Sequence, residues 1–183
     1  MIRPDTGTTL YTYDGANEIA TACTDANTND VCDTGEIQVT YQHDDYGNLK
    51  NDGTYEYIYD ATNHLTELKV SGQTVATSVY NGDGDLMSVT VLEVTTEYVR
   101  DWASPEKVVL TETTGTNVTR NLYGMGLIAQ QLPGGEVQFA LFDGMRSIRQ
   151  FVDADGVVTY AQTFDPFGGL YASTGSNESG YGF

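Results

Sequence analysis

A recurring tetrad constrains this chain more than any other feature. Tyr11-Thr12-Tyr13-Asp14, Tyr41-Gln42-His43-Asp44, Tyr57-Ile58-Tyr59-Asp60 and, less completely, Val79-Tyr80-Asn81 are each followed by a few small or polar residues, an Asn or Gly, and then an aliphatic residue. Fainter copies end at Asp101, Gly124, Asp143 and Asp165. With the Asp or its equivalent as marker, the steps from position 60 onward are 21, 20, 23, 19 and 22. The longer step of 30 between 14 and 44 holds an inserted polar loop. Self-similarity at such a period signals stacked units, each too small to bury its own face.

The period predicts two strands and two turns per unit. Tyr55, Tyr57 and Tyr59 alternate with Glu56 and Ile58; Ile37, Val39 and Tyr41 alternate with Gln38 and Thr40; Val137, Phe139 and Leu141 alternate with Glu136, Gln138 and Ala140. This is the two-residue period of a strand with its apolar side covered. Asn51-Asp52-Gly53, Ser71-Gly72, Asp83-Gly84, Pro133-Gly134-Gly135 and Asp155-Gly156 supply turns between the runs. No window keeps a helical period with caps, and Pro105 argues for a strand over Ala103 to Leu110. The expected fold is therefore all-β: tandem antiparallel hairpins, each stacked on its neighbours in a curved sheet. We expect one array over residues 1–183, a Cys-bracketed acidic insertion at 21–36, and a distinct block at 139–170.

Composition supports strands and turns: 13 tyrosines favour half-buried strands, and 20 glycines serve turns, in 183 residues. The net charge of −18 opposes nucleic-acid backbones and anionic membranes. No apolar run reaches the roughly 20 residues of a membrane helix. The start, Met1-Ile2-Arg3-Pro4-Asp5, lacks a signal-peptide pattern. Either the protein stays inside the cell or this is a segment of a longer chain, and the second is favoured.

These residues resemble the YD-repeat, or rearrangement-hot-spot, family, whose units look like Tyr-x-Tyr-Asp-x-x-Gly-Asn-Leu. The most specific part is Leu141-Phe142-Asp143-Gly144-Met145-Arg146-Ser147-Ile148-Arg149, then Val152-Asp153-Ala154-Asp155-Gly156, then Thr163-Phe164-Asp165-Pro166-Phe167-Gly168. It is similar to the core block that ends such shells, with Gly144 and Ser147 spread apart and Phe164 in place of Tyr. The resemblance covers about residues 8 to 170, with the cysteine loop outside it. It implies a β-sheet ribbon spiralling into a hollow shell, enclosing an effector in bacterial toxins or standing on cell surfaces in animal relatives. The family's self-cleaving aspartates lie downstream of this segment, beyond Tyr181-Gly182-Phe183, and Asp165-Pro166 is read as a turn.

Two stretches invite chemistry. Cys23 and Cys32 are close enough for a local disulfide, which implies an oxidising compartment; the alternative is two idle thiols. In the loop between and after them, Asp25, Asn27, Asn29, Asp33 and Glu36 place oxygen side chains at positions 1, 3, 5, 9 and 12, and Val31 offers a carbonyl at position 7. That is the ligand spacing of a twelve-residue calcium loop. Asp30 stands where glycine usually makes the sharp turn, and the alternative is a solvated acidic loop stapled by the cysteines. For catalysis the candidates are His43, His64 and Ser104, with a structural role the simpler account of both histidines. Trp102 and the tyrosines are either a sugar-stacking platform or cross-strand packing.

The favoured function is a structural, enclosing shell fragment of a larger secreted or surface protein, extracellular or in a bacterial cell envelope, with a polypeptide cargo in the parent. The alternatives are a small esterase- or glycosidase-like hydrolase, or a calcium-stabilised extracellular module binding carbohydrate or a partner. Open sheet edges also predict self-association.

Overall fold

The computed structural model describes residues 8–165 and 168–175. Pro166 and Phe167 of the C-terminal block, the first five residues and Tyr181-Gly182-Phe183 lie outside the described residues. The described residues form strands and no helix. Contacts divide the chain after Glu93 into two units.

The first unit holds β1 (Thr8–Tyr13), β2 (Ile19–Asp25), β3 (Gln38–Thr40), β4 (Gln42–His43), β5 (Leu49–Asn51), β6 (Tyr55–Tyr59), β7 (Leu65–Val70), β8 (Gln73–Tyr80) and β9 (Leu86–Val91). β1, β2 and β3 pair antiparallel, with Leu10 opposite Cys23 and Ala22 opposite Val39. β4 to β9 then pair antiparallel in chain order. The second unit holds β10 (Val94–Arg100), β11 (Val109–Thr114), β12 (Asn117–Tyr123), β13 (Leu127–Gln131), β14 (Val137–Phe142), β15 (Ile148–Val152), β16 (Val158–Phe164) and β17 (Leu170–Gly175), again antiparallel in chain order. Short turns leave each strand no neighbour nearer than the next one in sequence, which produces this meander.

The eight sequence markers all fall in turns between strands. Six five-residue turns share one hydrogen-bond pattern. The first residue is Asp14, Asp44, Asp60, Asn81, Asp143 or Asp153, and its Oδ1 accepts the backbone N–H of the third and fifth residues at 2.8–3.0 Å. The first residue's own N–H donates to the fifth carbonyl, and the fourth N–H donates to the first carbonyl. This closure puts the fourth residue in the left-handed region: φ is 65° at Asn17, 84° at Gly47, 65° at Asn63 and 85° at Gly84. Asn and Gly tolerate that conformation, and Asp and Asn make the side-chain bonds, so the consensus follows from turn chemistry. The extra residue shifts the register beside each turn, as between Ile58 and Tyr59.

Two local expectations change. Ala103 to Lys107 is a turn, with φ 47° at Lys107, and the strand begins only at Val109. Pro105 has no N–H for a ladder, so pairing starts beyond it. The face of β14 is also reversed. Gln138 is 3% exposed, whereas Phe139 and Leu141 are 39% and 44% exposed. Gln138 stands opposite Gln130, which stands opposite Asn121, so the amides bond to one another across strands and their burial leaves no polar atom orphaned. Ala140, on the same face, lies opposite Phe151 and leaves space for its fully buried ring.

Candidate functional site

In the first unit the turns are joined to one another as well as closed on themselves. His43, next to the second turn, points Nδ1 at Glu18 of the first turn, 3.5 Å away. Asn48 of the second turn donates to Asn63 of the third at 2.9 Å. His64 of the third turn stacks on Tyr80, the rings 4.7 Å apart and 21° from parallel, and Tyr80 Oη donates to the Leu65 carbonyl. Within the first unit, the fifth turn residue thus carries much of the turn-to-turn contact.

An open cleft of about 590 Å³ lies between the third and fourth turns, lined in part by Asp60, Thr62, His64, Ser78 and Tyr80. Asp60 Oδ2 lies 3.3 Å from His64 Nδ1, and the Thr62 hydroxyl lies 2.8 Å from the same nitrogen. The Thr62 hydroxyl, followed by the His64 N–H, holds the Asp60 carboxyl well below the usual carboxylate range. A carboxylate on Nδ1 orients an imidazole as in a catalytic triad. Yet Nε2, the nitrogen that faces a nucleophile in such a set, packs against the backbone: a Cβ placed on Gly84 would lie 2.8 Å from it. The geometry serves turn packing. Ser104 sits in the turn after Asp101, where its carbonyl accepts the Lys107 N–H. Trp102 is exposed, with Lys107 Nζ 5.8 Å from its ring centre.

The acidic insertion is tied by a Cys23–Cys32 disulfide, Cα to Cα 6.0 Å. Both sulfurs are therefore committed, and neither is a thiolate ligand. Asp25 is fully buried, and its oxygens accept the N–H groups of Asn29 at 3.3 Å and Asp30 at 2.8 Å. Glu36 reaches back to accept the N–H groups of Ala26 and Asp33 at 2.9 and 2.8 Å. The side-chain amides of Asn27 and Asn29 both donate to Asp33, which lowers its carboxyl from the ordinary value. Asp30 takes φ 62°, so the sixth position makes its sharp turn without glycine. The loop thus brings Asp25, Asn27, Asn29, Asp33 and Glu36 into one hydrogen-bonded set.

Elsewhere carboxylates act as turn locks. Burial pushes the Tyr57 phenol up to about 12, aided by its bond to Asp52 at 2.8 Å. Burial raises the Asp143 carboxyl too, but Arg149, whose Nε donates to it at 2.7 Å, and the turn N–H groups outweigh it and leave it lowered.

The second unit contains a feature the sequence analysis missed. Gln138 Nε2 donates to Gln130 at 3.2 Å, Gln130 Nε2 to Asn121 at 2.8 Å, and Asn121 Nδ2 to the Val109 carbonyl at 2.9 Å. Thr159 joins from β16 through Gln138, at 3.4 Å. This amide ladder lies beside an apolar cluster of Leu127, Ala140, Ile148, Phe151 and Tyr160.

No family model and no curated protein matches the chain. Among solved structures, a crystal structure of TcdB2-TccC3 is similar over 93% of this chain, with a TM-score of 0.51 and 10% sequence identity. One of TcdB2-TccC3-TEV is similar over 91%, with a TM-score of 0.48 and 12% identity. The chain spans 10% and 12% of the length of those chains. At such identity the likeness concerns the fold, and the first of the two agrees with an all-β antiparallel architecture.

Proposed function

We propose that this chain is part of a β-sheet wall in a larger, toxin-related secreted or surface protein of the YD-repeat kind, and that the stacked turns are its working part. The observation that carries this reading is the recurrence of one five-residue turn, with the same four bonds, at Asp14, Asp44, Asp60, Asn81, Asp143 and Asp153. A unit built only to be repeated suits enclosure, because each hairpin needs its neighbour for cover. The structural likeness to TcdB2-TccC3 supports the architecture, and the disulfide supports an oxidising location outside the cytoplasm. Open strand edges fit self-association or continuation into further chain.

The test is protease protection in the parent protein. Cleavage of an enclosed segment should be slow in the native protein and fast in a Phe151→Ala variant that opens the wall. Equal cleavage in both would overturn the reading. A screen on esters and glycosides addresses the hydrolase alternative: turnover that disappears with His64→Ala would replace a wall with an enzyme.

For the acidic loop we propose calcium as the stabilising ion. Supporting it are the oxygen spacing from Asp25 to Glu36 and the left-handed Asp30, which provides the turn that glycine provides in loops of this spacing. Calorimetric titration should give saturable binding that weakens in Asp33→Asn. The absence of any heat at millimolar calcium would contradict it.

A further inference from the structure

The Cys23–Cys32 disulfide has a carboxylate held beside it. Glu36 Oε2 lies 3.9 Å from Cys23 Sγ. The two Glu36 oxygens also accept the N–H groups of Ala26 and Asp33, at 2.9 and 2.8 Å. Those bonds fix the direction of the carboxylate, as outer hydrogen bonds fix the ligands of metal sites. One atom each from Cys23, Cys32 and Glu36 fall within 4.8 Å of one another. Among the described residues, no other three side chains of the Cys, His, Asp and Glu types come together in this way.

While the disulfide stands, neither sulfur can bind a metal. A reducing compartment such as the cytoplasm changes that. A dithiol reductant opens the bond by exchange: its two thiols are oxidised to a disulfide, and their two protons pass to Cys23 and Cys32 as these become thiols. A zinc ion then takes both sulfurs as thiolates and releases the two protons to solvent. Asp25, Asp30 and Asp33 stand on the same loop, and their negative charge favours a cation there.

We propose that the reduced loop is a zinc site, with Cys23 Sγ, Cys32 Sγ and one Glu36 oxygen as ligands and water in the fourth position, so that the metal staples the loop whenever the disulfide is open. Tetrahedral zinc, with bonds of about 2.3 Å to sulfur and about 2.0–2.2 Å to oxygen, holds a sulfur and an oxygen about 3.5 Å apart and two sulfurs about 3.8 Å apart. The gap of 3.9 Å between Cys23 and Glu36 is already close to the first of these. The sulfurs must part, and the exposed Cys32 can swing while Cys23, 2% exposed, stays in place. Thiolates select zinc over calcium, which takes oxygen ligands. The proposal therefore does not rest on calcium binding by the oxidised loop.

The test is a cobalt titration of the whole chain, reduced with a phosphine and kept free of oxygen, followed by displacement with zinc. Cobalt reports its ligands: thiolates give a charge-transfer band in the near ultraviolet, and a tetrahedral site gives strong visible bands. The reduced protein should show both at one equivalent, and zinc should abolish them. The oxidised protein should show neither. Cys32→Ser, a change at an exposed position, should lose most of the charge-transfer band. Glu36→Gln should keep the band but weaken zinc by no less than the roughly tenfold that losing an outer-shell partner costs. A reduced protein without the band overturns the proposal, as does an oxidised protein that gives the same spectrum or an unchanged zinc affinity in Glu36→Gln. A band that survives in urea belongs to the unfolded chain and overturns it too. Calcium titration of the oxidised protein reads the other proposal separately, so either can fail alone.

Discussion

The two units use one kind of turn but hold together by different means. In the first unit, among the described residues, only Cys23 and Asp25 are buried, and both belong to the β2 end beside the disulfide. Its strands are joined at the turns, through Glu18 and His43, Asn48 and Asn63, and His64 and Tyr80. The second unit buries an apolar cluster around Phe151 and, beside it, the amides of Asn121, Gln130 and Gln138. A repeated backbone device can therefore be stabilised from its edge or from its face. Edge contacts are only half-buried and individually modest, whereas a buried ring or a satisfied buried amide is costly to remove.

The sharpest way to break this contrast is Phe151→Ala. Deleting a fully buried ring costs about 3–5 kcal/mol. Amide exchange should quicken across β13 to β16 while β5 to β9 keep their protection, and uniform quickening would deny that the units differ. Next in size is Cys23→Ser. Opening a loop of nine residues' separation removes about 2–3 kcal/mol on loop-entropy grounds, measurable by denaturant unfolding. Gln130→Ala orphans a buried acceptor on Asn121 and a donor on Gln138, at about 1–3 kcal/mol for such groups. An unchanged midpoint would show that the ladder contributes nothing. The smallest effects belong to the exposed turns. Asp60→Ala should lower the melting temperature, whereas Asp60→Asn should keep most of it, as Asn81 does naturally in the next turn. The Asp60 carboxyl is held low in the folded protein. Its contribution is therefore complete above the ordinary value of 3.8 and fades as pH falls below it.

The turns were legible in the sequence because their causes are local. An Asp or Asn stands at the first position of all six, and an Asn or Gly at the fourth of five, the exception being Arg146 with φ 69°. Asp153 makes the same turn but escaped the marker series, since Val152 precedes it where the repeats elsewhere carry an aromatic or polar residue. The faces were less legible. Gln138 reads as an outward polar residue until its partner, Gln130, is known, and that pairing depends on the register of two strands. Alternation of apolar and polar residues tells which side chains share a face, but the cross-strand neighbour decides which face is buried. The acidic loop was legible in its spacing. That Asp30 would adopt a left-handed backbone was not, since aspartate does so only in a minority of positions.

The recurring turn is tested most directly by native-state hydrogen exchange at the fifth residue of each: Glu18, Asn48, His64, Asp85, Ser147 and Val157. Each of these N–H groups points at the side-chain oxygen of the first residue. All six should exchange more slowly than the second-position amides of the same turns, Gly15, Asp45, Ala61, Gly82, Gly144 and Ala154. Exchange at the same rate in both sets would mean that the turns are not closed as described, and the repeat would lose its physical basis.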